Sequence, residues 1–160
     1  MDMTQVINKV LVPIDFSDYS KNALRYAVQF AKQFIAKIYL VYVIEPMIYP
    51  ADFSMGQVAI PSMDADMQTR ATEELNNLAK SLIDLSVETE IIIRTGKPFV
   101  EICETATEKD IDLIIIATHG HTGVEHLLFG STAEKVVRKA PCPVLTLREP
   151  IKGFQYSYNK

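Results

Sequence analysis

Five short apolar runs recur along this chain: Val6 to Ile14, Ile38 to Ile44, Val87 to Arg94, Leu113 to Ala117 and Val144 to Leu147. Stretches with apolar residues at helical spacing lie between them. Strands that are apolar without alternation suit burial on both faces, which a parallel sheet provides when helices cover each side. The alternation β-α-β-α-β-α-β-α-β therefore predicts an α/β fold: a single-domain, Rossmann-like, open parallel five-stranded sheet with right-handed crossovers. Ligands of such sheets bind outside the carboxyl ends of the strands, where strand order reverses. A chain of 160 residues is long enough for one such core. At that size roughly 68–70% of the unfolded surface is buried.

The helical stretches have readable ends. Ser17-Asp18 offers a cap for a first helix from about Tyr19 to Phe34, with Leu24, Ala27, Val28, Ala31 and Ile35 on its inner face. Met67, Ala71, Leu75, Leu78, Leu82 and Leu85 mark one face of a long second helix. Gly96-Lys97-Pro98 turns the chain into a third, with Phe99, Ile102, Cys103 and Ala106 inward. The fourth carries Ala133, Val136, Val137 and Ala140, and Pro141-Cys142-Pro143 stops it. Glu45 to Ser62, with three prolines and a glycine, reads as a long loop of the kind that is usually functional. Met47, Met55, Met63 and Met67 either form an adaptable apolar lid or fill gaps beside the second helix. Arg148 to Lys160 has aromatic residues but no periodicity. The expected division is a domain over residues 1–148 and a tail over 149–160.

One stretch carries chemistry. Ile114-Ile115-Ile116-Ala117 runs into Thr118-His119-Gly120-His121 and, after Leu127-Leu128-Phe129, into Gly130-Ser131-Thr132 ahead of the fourth helix. Gly120 and Gly130 let the backbone approach a ligand closely. The free N–H groups of a helix opening at Ser131 favour an anion such as phosphate. A competing reading makes Ser131 and Glu134 a capping box, which explains the serine without any ligand. Asp15, at the end of the first strand, either accepts hydrogen bonds from a ligand or stabilises the N-terminus of the first helix.

Other functions are disfavoured by what the chain lacks. The net charge of −4 argues against a nucleic-acid groove. No apolar run approaches a membrane span, and Met1 to Gln5 lack the basic start of a signal peptide. A cytoplasmic protein with Cys103 and Cys142 as buried, reduced thiols is expected. There is no G-x-x-x-x-G-K-[ST], and no G-x-G-x-x-G follows the first strand. His119, His121 and His126 have no cysteine or paired carboxylate to complete a metal set. No nucleophile–base pair or arginine finger is visible, although Arg94 and Lys97 could lie near the crevice.

These residues carry a resemblance. Ala117-x2-Gly120-x9-Gly130-Ser131 is similar to the G-x2-G-x9-G-[ST] of the ATP-binding branch of the universal stress protein superfamily. Val12-Pro13-Ile14-Asp15, Ser17, Ser20, Ala23 and Leu24, Gly96-Lys97-Pro98 and Ala140 to Val144 extend it. It covers about Val6 to Arg148. The resemblance implies strand order 3-2-1-4-5 and binding of ATP, ADP or AMP, with Mg²⁺ held mainly by the phosphates. By it, Asp15 meets the ribose and adenine side, Pro13 and Ile14 flank the base, and Val43 meets adenine through its backbone. Gly120, Gly130, Ser131 and Thr132 bind phosphates, and His119 touches phosphate or ribose. Ala117 replaces the first glycine of the pattern, which is harmless if φ there is negative and strained if it is positive.

The function so implied is a small cytoplasmic nucleotide-binding protein of stress response or signalling, working as a dimeric switch with an unidentified protein partner. Two alternatives are a slow ATPase or nucleotidyl transferase, and an interaction module that has lost nucleotide. In the implied order, Val144-Leu145-Thr146-Leu147 is an open apolar edge, and an uncovered edge is a template for association. The family resemblance likewise implies homodimers paired through these edges.

Overall fold

The computed structural model describes residues 7–46, 61–119 and 130–148. The loop tip, residues 47–60, Gly120 to Phe129 and the tail from Glu149 lie outside them, and with them Met47, Met55, His121 and His126. Five strands and four helices alternate: β1 (Lys9–Ile14), α1 (Asp18–Phe34), β2 (Lys37–Ile44), α2 (Pro61–Leu82), β3 (Thr89–Thr95), α3 (Pro98–Glu108), β4 (Leu113–Ala117), α4 (Ser131–Lys139) and β5 (Val144–Leu147). The sheet is parallel throughout and ordered β3-β2-β1-β4-β5. Among the described residues no helix is long and apolar enough to cross a membrane.

Alternate strand residues feed two cores. Val10, Val12 and Ile14 face one way with Ile38, Leu40, Leu113 and Ile115, against Leu24, Ala27, Val28 and Ala31 of α1 and Leu75 of α2. Leu11, Tyr39, Val41, Ile114 and Ile116 face the other way, against Ile102 and Ala106 of α3 and Ala133 and Val136 of α4. Each fully buried aliphatic side chain contributes about 1.5–3 kcal/mol through removal of apolar surface from water. Both faces of β4 are buried, which accounts for its unbroken run of apolar residues.

Ile35, Leu85 and Val137, expected on inner helix faces, lie outside the core. Ile35 is the C-cap of α1, in the left-handed region at φ 56°, and is 91% exposed. The amide of Ala36 bonds back to the Ala31 carbonyl, so the helix has ended by Ile35. Leu85 lies beyond the end of α2 and is fully exposed. Val137 is exposed because α4 buries only the stripe through Ala133 and Val136. The cysteines are free and half-buried rather than buried. β3 is an edge, and it carries charge: Glu90 pairs with Lys37 at 3.1 Å and with Lys109 at 2.7 Å, and Arg94 pairs with Glu108.

Candidate functional site

β1 and β4 are neighbours, and from them the chain winds outward in opposite directions to β3 and to β5. Their carboxyl ends open into a cavity of about 440 Å³, a size that suits a small organic ligand. The end of β1 contributes Pro13, Ile14 and Asp15, and the end of β2 contributes Val41 to Glu45. Ile116, Ala117, Thr118 and His119 come from β4 and the residues after it, and Gly130 to Ala133 from the start of α4. Ser20, Met67, Pro98 and Ile102 complete the lining. Of the residues singled out in the sequence, Pro13, Ile14, Asp15, Val43, Ala117, His119, Gly130, Ser131 and Thr132 therefore meet in one place. Gly120 lies outside the described residues. Arg94 is held by Glu108, and neither it nor the exposed Lys97 lines the cavity.

Asp15 is held by the turn that starts α1. Its Oδ1 accepts the backbone N–H of Ser17 at 3.0 Å and the Ser17 hydroxyl at 2.5 Å. Ser17 is also the N-cap of α1, with its Oγ accepting the amide of Ser20 at 3.2 Å. The hydroxyl of Ser20, itself in the cavity wall, donates to the Ser17 carbonyl. The sequence reading of Ser17-Asp18 as a cap holds, with serine as the capping residue. Phe16, between Asp15 and Ser17, sits at φ 63°. That region is uncommon for a residue with a Cβ and costs free energy. Its ring packs on Tyr42 with centroids 4.9 Å apart.

The opposite wall is made of backbone. The N-cap of α4 is Gly130, at φ −69° and ψ 153°, and among the described residues no side chain caps the helix. Ser131 is thus the first helical residue, and the capping box with Glu134, the competing reading of this serine, is not formed. The reason is one of register: a box needs serine at the cap position, and here it stands one residue too late. The exposed Ser131 and half-buried Thr132 line the cavity instead. Gly130 is needed for closeness rather than for its φ. A Cβ there would stand 3.2 Å from the carbonyl oxygen of Thr118.

Ala117 is the last residue of β4 and is not among the residues with positive φ. An alanine is therefore unstrained where the pattern has its first glycine. His119 is half-buried, with Nδ1 3.0 Å from the Thr118 hydroxyl and its ring 5.5 Å from that of Tyr19. Val43 is half-buried at the end of β2. Met67 is 38% exposed and lines the cavity wall.

The sequence reading passed over Thr118, Tyr42 and Glu45. Thr118 is a junction: its N–H and hydroxyl both donate to the Leu147 carbonyl, while its own carbonyl accepts from Gly130. A small polar residue between an apolar strand and the first glycine was the only available signal. Tyr42 interrupts the aliphatic run of β2 and is half-buried in the wall. Burial, and then the charges of Glu74, Asp15 and Glu45, push its hydroxyl pKa above the ordinary tyrosine range.

The sequence of this chain matches the universal stress protein family over residues 7–148. Universal stress protein MJ0531 of Methanocaldococcus jannaschii is 35% identical over 147 residues, which span 90% of this chain and 84% of that protein. Among solved structures, universal stress protein UspA of Lactobacillus plantarum superposes with a TM-score of 0.73 at 25% identity, covering 89% of this chain and 98% of that one. The universal stress protein of Archaeoglobus fulgidus, solved in complex with dAMP, superposes with a TM-score of 0.62 at 24% identity, covering 89% and 99%. This last likeness is one of fold.

Proposed function

This chain belongs to the universal stress protein family, and from that premise we propose that it binds an adenine nucleotide and acts as a dimeric switch in cytoplasmic stress response or signalling. One observation carries the reading: a cavity at the strand-order reversal has a carboxylate on one wall and, on the other, a helix N-terminus that no described side chain caps. Phosphate suits the N–H groups of Gly130, Ser131 and Thr132 and the hydroxyls of the latter two. Asp15 suits ribose hydroxyls or an amino group, because an ionised carboxylate can only accept. Pro13 and Ile14 offer apolar surface to the base, Val43 meets it through its backbone, and His119 and Ala117 border the phosphate side. ATP, ADP and AMP all have this pattern of groups, and Mg²⁺ with ATP would be held chiefly by phosphate and water. The unstrained backbone at Ala117 removes the one sequence feature that favoured an interaction module without nucleotide. A fold relative solved with dAMP agrees with the reading.

The dimer is proposed through β5. The two edges of the sheet are unlike: β3 carries ion-paired charges, whereas β5 reads Val144-Leu145-Thr146-Leu147. Charge on an edge discourages pairing, and its lack permits it.

The test is to denature purified protein, identify the released nucleotide by mass spectrometry, and measure ATP and AMP affinity by calorimetry. A bound adenine nucleotide, with turnover well below about 1 s⁻¹, the low end of ordinary enzymes, is the expected result. Neither release nor binding would reject the reading.

A further inference from the structure

Thr118 is buried where β5, α4 and the cavity meet. Its N–H donates to the Leu147 carbonyl at 3.0 Å, and its hydroxyl donates to the same oxygen at 3.3 Å. Its own carbonyl accepts the amide of Gly130, the N-cap of α4. Its hydroxyl oxygen also lies 3.0 Å from Nδ1 of His119, in the cavity wall. A hydrogen-bonded path thus runs from the last residue of β5, through Thr118, to the start of α4.

The β5 end of that path is the weaker one. β5 has four residues, three of them half-buried, and among the described residues only β4 lies beside it in the sheet. A short edge strand of this kind opens more readily than a central one. Pro143 and Leu147 turn their carbonyls toward β4, to the amides of Ile114 and Thr118. By the alternation of a strand, the backbone groups of Val144 and Thr146 face away from β4. A second strand paired with them would hold Leu147 against Thr118.

We propose that Thr118, by its backbone and its hydroxyl, is a positioning residue through which pairing of the β5 edge tightens nucleotide binding at the N-terminus of α4. Such a link rests on the nucleotide and dimer readings given above. Phosphate bound by Ser131 and Thr132 holds one end of the path, and a partner strand holds the other. Ordering either end lowers the cost of ordering the rest, so the two events favour each other. Linkage makes the effect reciprocal: nucleotide strengthens the dimer as the dimer strengthens nucleotide binding.

The experiment uses the whole chain and whichever of ATP and AMP binds more tightly by calorimetry. Sedimentation over a range of protein concentrations gives the dimer dissociation constant with and without saturating nucleotide. Nucleotide is expected to lower that constant at least about fivefold. Thr146→Lys, which blocks edge pairing, is expected to weaken nucleotide binding about fivefold or more. Thr118→Val, which removes the hydroxyl and keeps the volume, should shrink the nucleotide effect on the dimer, and Thr118→Ser should preserve it. A role of Thr118 in stability alone would leave that ratio unmoved. Equal nucleotide affinity in native protein and Thr146→Lys, with an unchanged dissociation constant, would overturn the link and leave both readings standing. A nucleotide effect of full size in folded Thr118→Val would overturn it as well, because the coupling would run elsewhere. If Thr118→Val does not fold, the comparison of native protein with Thr146→Lys decides. No nucleotide binding, or a single-chain mass with and without nucleotide, would overturn the link together with the reading concerned.

Discussion

The amide of Gly130 donates to the carbonyl oxygen of Thr118 at 2.6 Å, and the same oxygen leaves no comfortable room for a Cβ on residue 130. This contact ties the first turn of α4 to the end of β4, and so fixes the helix N-terminus at the cavity. Gly130→Asp should abolish ATP binding while the fold persists. Aspartate is a favoured N-cap and stabilises the helix, and the backbone needs to shift only a few tenths of an ångström. Its charge, however, lies where phosphate would be. Calorimetry together with circular dichroism checks this, and undiminished affinity in a folded variant rejects the phosphate position. Gly130→Ala, which adds the Cβ alone, should retain measurable binding.

Asp15→Ala should weaken nucleotide binding by about 1.5–3 kcal/mol, the worth of a hydrogen bond to a charged group. It also removes the acceptor for the Ser17 amide and hydroxyl, so some loss of stability accompanies it. A thermal melt separates the two effects. Reduced stability with unchanged affinity would assign Asp15 to the turn alone.

Burial pushes the thiol pKa of both Cys103 and Cys142 above the ordinary value, with Asp112 adding to the shift at Cys142. The thiolate is the reactive form, so alkylation by iodoacetamide at neutral pH should be slower than for an unfolded control at both positions. The rate should climb as pH rises beyond the usual thiol range. Rapid modification of either residue at pH 7 would contradict this.

Thr105 is fully buried in α3, and among the described residues its hydroxyl has no hydrogen-bond partner. Thr105→Val exchanges an unpaired polar atom for a methyl group of similar size. The expected gain is about 1–2 kcal/mol, read as an upward shift of a few degrees in Tm. A fall in Tm would show that the hydroxyl is satisfied in solution.

Light scattering at micromolar concentration should give a mass near twice 18.0 kDa. Thr146→Lys should return the monomer, because it sets a charge in the middle of the β5 edge while Leu147, which belongs to the core, is left in place. A single-chain mass for the unmodified protein would reject the dimer.

Much of this protein could be read from residues alone. The apolar runs located all five strands within three residues at each end, and β4 and β5 matched at both ends; for β4 the reason is that a strand buried on two faces admits only apolar side chains. Helical spacing found the faces that α1 and α3 bury. It failed at Ile35, Leu85 and Val137, since periodicity continues past a helix end and does not report how wide a stripe its neighbours cover. The residues that meet in the cavity were individually legible as a strand-end carboxylate and a glycine–serine pair before a helix. What only the tertiary structure decided was their mutual placement and the role of the backbone. Strand order brings residues more than a hundred positions apart to one crevice, and a hydrogen bond from Gly130 to Thr118 sets the helix register. That register makes glycine rather than serine the cap, and pairing with β5 keeps Ala117 in an extended strand where a methyl group is harmless. Side-chain chemistry is written locally in a sequence, whereas φ, cap position and the charge around a cavity depend on contacts between distant segments.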